Sequence, residues 1–156
     1  MFRFHKTLDV ITLFHNANSP ESRAVYQIMK KASEYATANS SGNNTMRNSR
    51  GFERRSQFKL EITEKMPTRD QLRCILDYIQ RVPLFKANVI DGRERYVEEV
   101  TPVIGAVVKG AKNEFDAFLR MKANPDNFHR PMVVDWSRGR ASSVTNELVL
   151  MDMIGL

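Results

Sequence analysis

The chain has 156 residues, a length that suits one domain built on a single core. It is 42% hydrophobic and 27% charged, with 24 lysines and arginines against 18 acids, a formal net charge of +6. No apolar run approaches the roughly 20 residues that a membrane span needs, and a lone cysteine, Cys74, excludes an internal disulfide framework and any dithiol mechanism within one chain.

The start, Met1-Phe2-Arg3-Phe4-His5-Lys6, is basic with no acid before Asp9, but it is shorter than a transit peptide and not serine-rich. Residues 8 to 15 read as a first strand, an apolar β-branched run that ends in the polar stretch His15-Asn16-Ala17-Asn18. Ser19 then stands where a helix N-cap belongs, and Pro20 takes the first helical position, where its missing N–H costs nothing. Val25, Ile28, Met29, Ala32 and Ala36 follow at helical spacing, so residues 20 to 37 read as a helix. Its free N-terminal N–H groups point at the preceding loop, an arrangement that favours anions and lowers the pKa of a thiol.

The polar run Thr37 to Met46 leads into the basic group Arg47, Arg50, Arg54, Arg55 and Lys59. Such a stretch buries too little apolar surface to offset its ordering entropy, so residues 38 to 56 read as a disordered insertion within the domain. The basic group suits phosphate, an anionic membrane surface or simple solvation; without interleaved aromatics it argues against a nucleic-acid partner. Phe58, Leu60 and Ile62 alternate with Lys59, Glu61 and Thr63, which predicts a half-buried second strand. Thr68 and Gln71 have capping-box spacing, and Leu72, Ile75, Leu76 and Ile79 form the stripe of the helix they open. Cys74 falls about 200° round that helix from Leu72, at about 100° per residue, and so reads as partly exposed.

Strand, helix and strand in this order predict a parallel pair in a right-handed crossover. Between 82 and 110 the signals are sparser. Val89 and Ile90 are β-like, Asp91-Gly92 is a turn signal, and Tyr96, Val97 and Val100 predict helix over residues 94 to 109. Ala111, Phe115, Phe118 and Leu119 predict a further helix that ends near Asn124-Pro125. Residues 130 to 136 read as a strand, Ser137-Arg138-Gly139 as a turn, and Arg140-Ala141 as the start of an antiparallel partner. Ser142 or Ser143 then caps a closing helix that carries Val144, Leu148, Met151 and Ile154.

Three of these stretches carry a resemblance. Ile11 to Asn16, then Ser22 and Arg23, resemble the N-terminal motif of the glutaredoxin-coupled arsenate reductases, a thioredoxin-fold family, with Ser19 at the reactive cysteine position. Pro67 to Leu72 and the Arg130-Pro131-Met132-Val133-Val134 segment resemble two further motifs of the same family. The Val134-Asp135-Trp136 spelling is similar to a small fungal family of mitochondrial redox proteins with a thioredoxin fold, which also lack the cysteine at the Ser19 position.

The resemblance implies one thioredoxin-like α/β domain over residues 1 to 156: a four-stranded mixed sheet flanked by helices, with an additional helical segment before the third strand. It also implies a cis peptide bond at Pro131, and an anion or ligand site made by Ser19, Ser22, Arg23 and Arg130. A second family arginine falls here on Ser143, which leaves that cradle incomplete, and Arg140 reads either as an oxyanion contact or as a solvated hairpin charge. The function implied is a thioredoxin-like, arsenate-reductase-like redox protein that has lost its reactive cysteine, at most an oxidoreductase of small molecules. The alternative is a non-catalytic module that binds an anion, a peptide or a protein. No resident cofactor is implied; glutathione or glutaredoxin would be the redox partner. A small oxyanion, glutathione or a protein segment beside Pro131 would be the ligand. The location implied is mitochondrial, or otherwise cytoplasmic, and the oligomeric state stays open.

Ser19 itself has three readings: an N-cap without chemistry, a ligand contact shared with the helix N–H groups, or a nucleophile that needs an adjacent base. His15 reads either as a counterpart of the family histidine or as a strand-end histidine bonded to backbone. His5, His15 and His129 lack metal-ligand spacing, so no metal is expected. Cys74 is the sole candidate thiol and matches no redox position of either family.

Overall fold

The computed structural model describes residues 7–39, 55–80, 85–90, 93–98 and 103–156, and it divides into two compact units. The first unit, Met1–Met66 with Arg130–Leu156, is built on a sheet in which β1, Val10–Phe14, is an inner strand. On one side β1 pairs in parallel with β2, Lys59–Thr63, in the register Val10↔Lys59 to Phe14↔Thr63. On the other side it runs antiparallel to β5, Met132–Asp135, with Phe14↔Met132 and Ile11↔Asp135. β5 pairs antiparallel with β6, Arg140–Ser142, and the order is β2-β1-β5-β6.

Paired on both sides, β1 hides its residues on both faces, which is why it reads as an unbroken apolar run instead of an alternating one. The crossover between the parallel strands contains α1, Pro20–Asn39, which buries Val25, Met29, Ala32 and Ala36 at steps of three and four. These side chains meet Ile11, Leu13, Phe58 and Val133, together with Leu150 and Ile154 from α5, Glu147–Ile154. Each large apolar side chain buried there contributes about 1.5–3 kcal/mol. On the opposite face of the sheet Thr12, Phe14, Met132 and Val134 are buried too. The Trp136 Nε1–H donates to the buried Thr12 hydroxyl at 2.8 Å and so supplies it with a partner. The mixed four-stranded sheet flanked by helices is the expected thioredoxin-like α/β arrangement.

Two details of this unit differ from expectation. The closing helix is capped by Asn146, not by Ser142 or Ser143; the Asn146 side chain accepts the Val149 N–H at 3.2 Å. The helix therefore starts later and buries Leu150 and Ile154, while Leu148 is 80% exposed and Val144 also faces solvent. Second, α1 extends to Asn39, so Ala38 and Asn39 belong to a helix and not to the insertion. Residues 40–54, the bulk of that insertion, lie outside the described residues.

The second unit, Pro67–His129, opens with α2, Arg69–Gln80. Its capping box closes in both directions: Gln71 N–H donates to Thr68 Oγ1 at 3.2 Å, and Thr68 N–H donates to Gln71 Oε1 at 3.0 Å. Leu72, Ile75 and Leu76 are buried on it. Two antiparallel strands follow, β3, Phe85–Ile90, and β4, Arg93–Glu98, with the register running from Phe85↔Glu98 to Ile90↔Arg93.

The helix expected over 94 to 109 is thus corrected: 93–98 is a strand, and among the described residues of that stretch the helix is α3, Val103–Val107. The sequence Arg93-Glu94-Arg95-Tyr96-Val97-Glu98 admits either period, and cross-strand pairing with β3 decides it. The Asp91-Gly92 turn signal between the two strands lies outside the described residues.

Then come α4, Glu114–Ala123, capped by the Asn113 side chain, and a 3-10 turn at Pro125–Asn127. The stripe expected on α4 is also corrected. Ala117 and Met121 are its buried residues, whereas Phe115 is 60% and Leu119 48% exposed. Phe118 instead carries the Arg69 guanidinium, 5.8 Å from its ring centroid.

Candidate functional site

The end of the sheet where β1 stops is the place to which the sequence points. Phe14 pairs with Thr63 on one side and Met132 on the other, so the residues after Phe14, those after Thr63 and those before Met132 share that end. His15 extends the ladder by donating its N–H to the Thr63 carbonyl at 2.8 Å. The chain then turns: Ser19 N–H donates to Asn16 O at 3.0 Å, and Asn18 N–H donates to Asn16 Oδ1 at 3.1 Å.

Ser19 is the N-cap of α1. Its Oγ accepts the Ser22 N–H at 3.3 Å, and its carbonyl accepts the first helical bond from Arg23 N–H at 3.1 Å. Ser22 is fully buried and joins the loop to the helix. Its Oγ accepts the Asn16 N–H at 2.9 Å and shares a 2.7 Å hydrogen bond with His15 Nδ1. The His15 ring lies 5.5 Å from the Tyr26 ring, which fixes its orientation from the second turn of α1. Arg23 donates to the Ala17 carbonyl at 3.2 Å, while Glu64 Oε1 accepts the Ala17 N–H at 3.1 Å. One peptide on each side of Ala17 is therefore held by a charged side chain.

Of the four expected ligand residues, Ser19, Ser22 and Arg23 meet in this loop–helix junction. Arg130 stands just before β5 on the neighbouring strand, and the Arg130–Pro131 bond is cis. Their states differ. Ser22 faces inward and has its bonds filled within the loop, and Arg23 is engaged with a carbonyl. Ser19, half-buried, presents its hydroxyl at the helix N-terminus, where backbone N–H groups and the helix dipole favour negative charge.

Among the described residues the nucleophile reading of Ser19 finds no hydrogen-bonded base: the Ser19 Oγ accepts the Ser22 N–H, and His15 Nδ1 bonds Ser22 instead. Arg140 is not near this end. It pairs with Asp135 at the far end of β5 and donates to the Met153 carbonyl at 3.3 Å. Glu64 is a member of the junction that sequence reading missed, because its contact with Ala17 spans 47 positions and depends on the β1–β2 register.

The opposite end of the sheet holds a charge cluster that was also missed. Arg55, expected within the disordered insertion as a charge for phosphate, an anionic surface or solvent, is 5% exposed, which corrects that placement. Its guanidinium pairs with both oxygens of the fully buried Asp135, and donates to Asp9 Oδ2 at 2.8 Å, Ser137 Oγ at 2.9 Å and the Ile154 carbonyl at 3.3 Å. Burial opposes the Arg55 charge, but hydrogen bonds to Asp135 and Asp9 outweigh it and raise its pKa. Asp9 is held below the usual carboxylate range by the Arg55 hydrogen bond, against a smaller effect of burial. Burial, then repulsion from Arg55, lowers the pKa of Arg138.

The thiol belongs to the second unit. Cys74 is half-buried on α2, where with Arg73, Leu76, Asp77, Ile104 and Glu114 it lines a cavity of about 330 Å³. Among the described residues no group of three or more His, Cys, Asp or Glu side chains is placed to hold a metal ion. No described helix is long and apolar enough to cross a membrane.

Comparison with known proteins adds the following. A solved structure, the arsenate reductase from Vibrio cholerae, is similar to this chain at 12% identity with a TM-score of 0.48, over 94% of this chain and 99% of that one. No curated protein matches the chain. The model of one family, described as "Protein of unknown function (DUF1687)", matches residues 2–144, and the chain belongs to that family.

Proposed function

We propose that the chain is a redox-type thioredoxin-like protein of the arsenate-reductase kind in which a hydroxyl stands at the reactive position. Its β1–α1 junction then binds a small oxyanion without forming a covalent intermediate. One observation carries this reading: Ser19 is the N-cap of α1, with its Oγ on the Ser22 N–H and, among the described residues, no base hydrogen-bonded to it. A reductase of this kind needs a thiolate to take up the oxyanion, and a serine hydroxyl at the same helix end can only hydrogen-bond to it. The Ser19 hydroxyl and the Glu21 N–H supply the donors, since Pro20 has no N–H and those of Ser22 and Arg23 are taken up by Ser19, and Arg130 on the neighbouring strand supplies the cation.

Calorimetric titration with phosphate, sulfate and arsenate tests the reading. Binding should weaken as salt rises and on Arg130→Ala, and wild type should show no glutathione-coupled arsenate reduction. Equal affinity in wild type and Arg130→Ala, or arsenate reduction by wild type, would remove it.

A second reading has its own observation. Cys74 is half-buried and lines the cavity on α2, so thiol chemistry with glutathione or a partner's thiol would have to run there. That reading requires any thiol-dependent activity to vanish in Cys74→Ser. The mitochondrial location implied by the sequence resemblance belongs to the same redox reading, and fractionation of cells expressing a tagged chain tests it.

A further inference from the structure

β2 ends the sheet order, and among the described residues nothing pairs with its outer side. Its main-chain directions follow from two printed bonds. Lys59 N–H donates inward to the Asp9 carbonyl at 2.8 Å, and the Thr63 carbonyl accepts inward from His15 N–H at 2.8 Å. Residues 59, 61 and 63 thus direct their main chain toward β1, and by the two-residue period Leu60 and Ile62 direct theirs outward. The side chains alternate as well. Lys59 and Glu61 are exposed on one face, while Leu60 lies half-buried on the core side and Ile62, on that same side, is 38% exposed.

We infer that β2 is a self-association edge, on which a second copy of this chain pairs antiparallel with the two Leu60 residues facing each other across a two-fold axis. The charge pattern selects both the occupant and the register. With Leu60 opposite its counterpart, each Lys59 faces the partner's Glu61, and each Ile62 comes opposite the partner's Phe58. Leu60 directs its N–H and C=O outward, so the pair on the axis exchanges both hydrogen bonds, as an antiparallel ladder requires.

The neighbouring registers fail on charge. Centring on Glu61 sets the two Glu61 side chains against each other. Centring on Ile62 sets Lys59 against the partner's Lys65. An open edge with an exposed isoleucine is normally blunted by charge, and here the charges are complementary to their own two-fold image. The pairing also covers Ile62.

Sedimentation velocity of the full chain over a range of concentrations tests the inference. Wild type should show a concentration-dependent monomer–dimer equilibrium. Lys59→Glu and Glu61→Lys should each weaken dimerisation by roughly tenfold or more, because two attractive cross-strand pairs become like-charged. The double variant Lys59→Glu/Glu61→Lys should restore it. Leu60→Pro should abolish it with the β1–β2 ladder intact, since the N–H removed is an outward one. A wild type that stays monomeric throughout, or a double variant no better than the single ones, would overturn the inference, whatever Leu60→Pro does to folding.

Discussion

Replacing Arg55 with alanine should destabilise the protein far more than replacing the partner it holds at the surface. Arg55 is 5% exposed and Asp135 fully buried, and the guanidinium spans both Asp135 oxygens. Without it the Asp135 carboxylate keeps, among the described residues, the Ser137 hydroxyl at 3.0 Å and the Arg138 N–H at 3.2 Å. Removing one partner of such a buried pair costs about 3–5 kcal/mol, a fall in the folded-to-unfolded ratio of roughly a hundredfold to several thousandfold. Asp9 is the contrast. Its side chain is 50% exposed, so solvent screens the Arg55 pair and Asp9→Ala should cost about 0.2–1 kcal/mol. Arg55→Met with Asp135→Leu should recover most of the loss, since both charges leave together. Urea unfolding with an unchanged m-value is the assay. If Arg55→Ala costs no more than Asp9→Ala, the cluster does not hold this end of the sheet in the way described.

Three further outcomes follow from the same structure. Ser19→Ala should cost about 0.5–2 kcal/mol and Ser19→Gly a few tenths, measured by thermal or urea unfolding, if Ser19 is mainly the cap of α1. Ser22→Ala should cost about 1–3 kcal/mol and shift the His15 ring resonances, because it strips the partner from the Asn16 N–H and His15 Nδ1. The Asp9 carboxyl is held below its ordinary value near 3.9, so its folded pKa lies under its unfolded one. The stability it contributes is present above the unfolded value and is lost as pH falls through the folded one. The difference between wild type and Asp9→Asn should therefore be constant near neutral pH and close as the solution is acidified.

Much of the fold was legible because local signals agreed with each other. The Ser19-Pro20 cap and start, the Thr68–Gln71 box and the apolar stripe of α1 each have a chemical cause within a few residues. The parallel β1–β2 pair follows from the length of the crossover between them. What failed was set by distant partners. Residues 93–98 carry a pattern that fits helix or strand, and only β3 resolves it. On α4 the large residues Phe115 and Leu119 look like the core face, yet the buried positions are Ala117 and Met121.

The site shows the same division. Ser19, Ser22 and Arg23 lie within five residues and could be placed from their spacing, whereas Glu64 reaches Ala17 only through the sheet register. For the Arg55 cluster one signal was available: an acid, Asp135, at the end of an apolar strand run needs a buried cation. Nothing in the polar stretch before Arg55 marks it as that cation, 80 positions away.

The proposed function requires the β1–α1 junction to be a thiol site that carries a hydroxyl. The most direct measurement is the thiol pKa of Ser19→Cys in a Cys74→Ser background, where the introduced sulfur is the only one that ionises as a thiol. The helix N-terminus that accepts the Ser19 cap should favour the thiolate, so the pKa should fall clearly below about 8.5, with folding unchanged. A pKa at or above that value in a folded variant would contradict the claim that this junction retains the environment of a reactive cysteine.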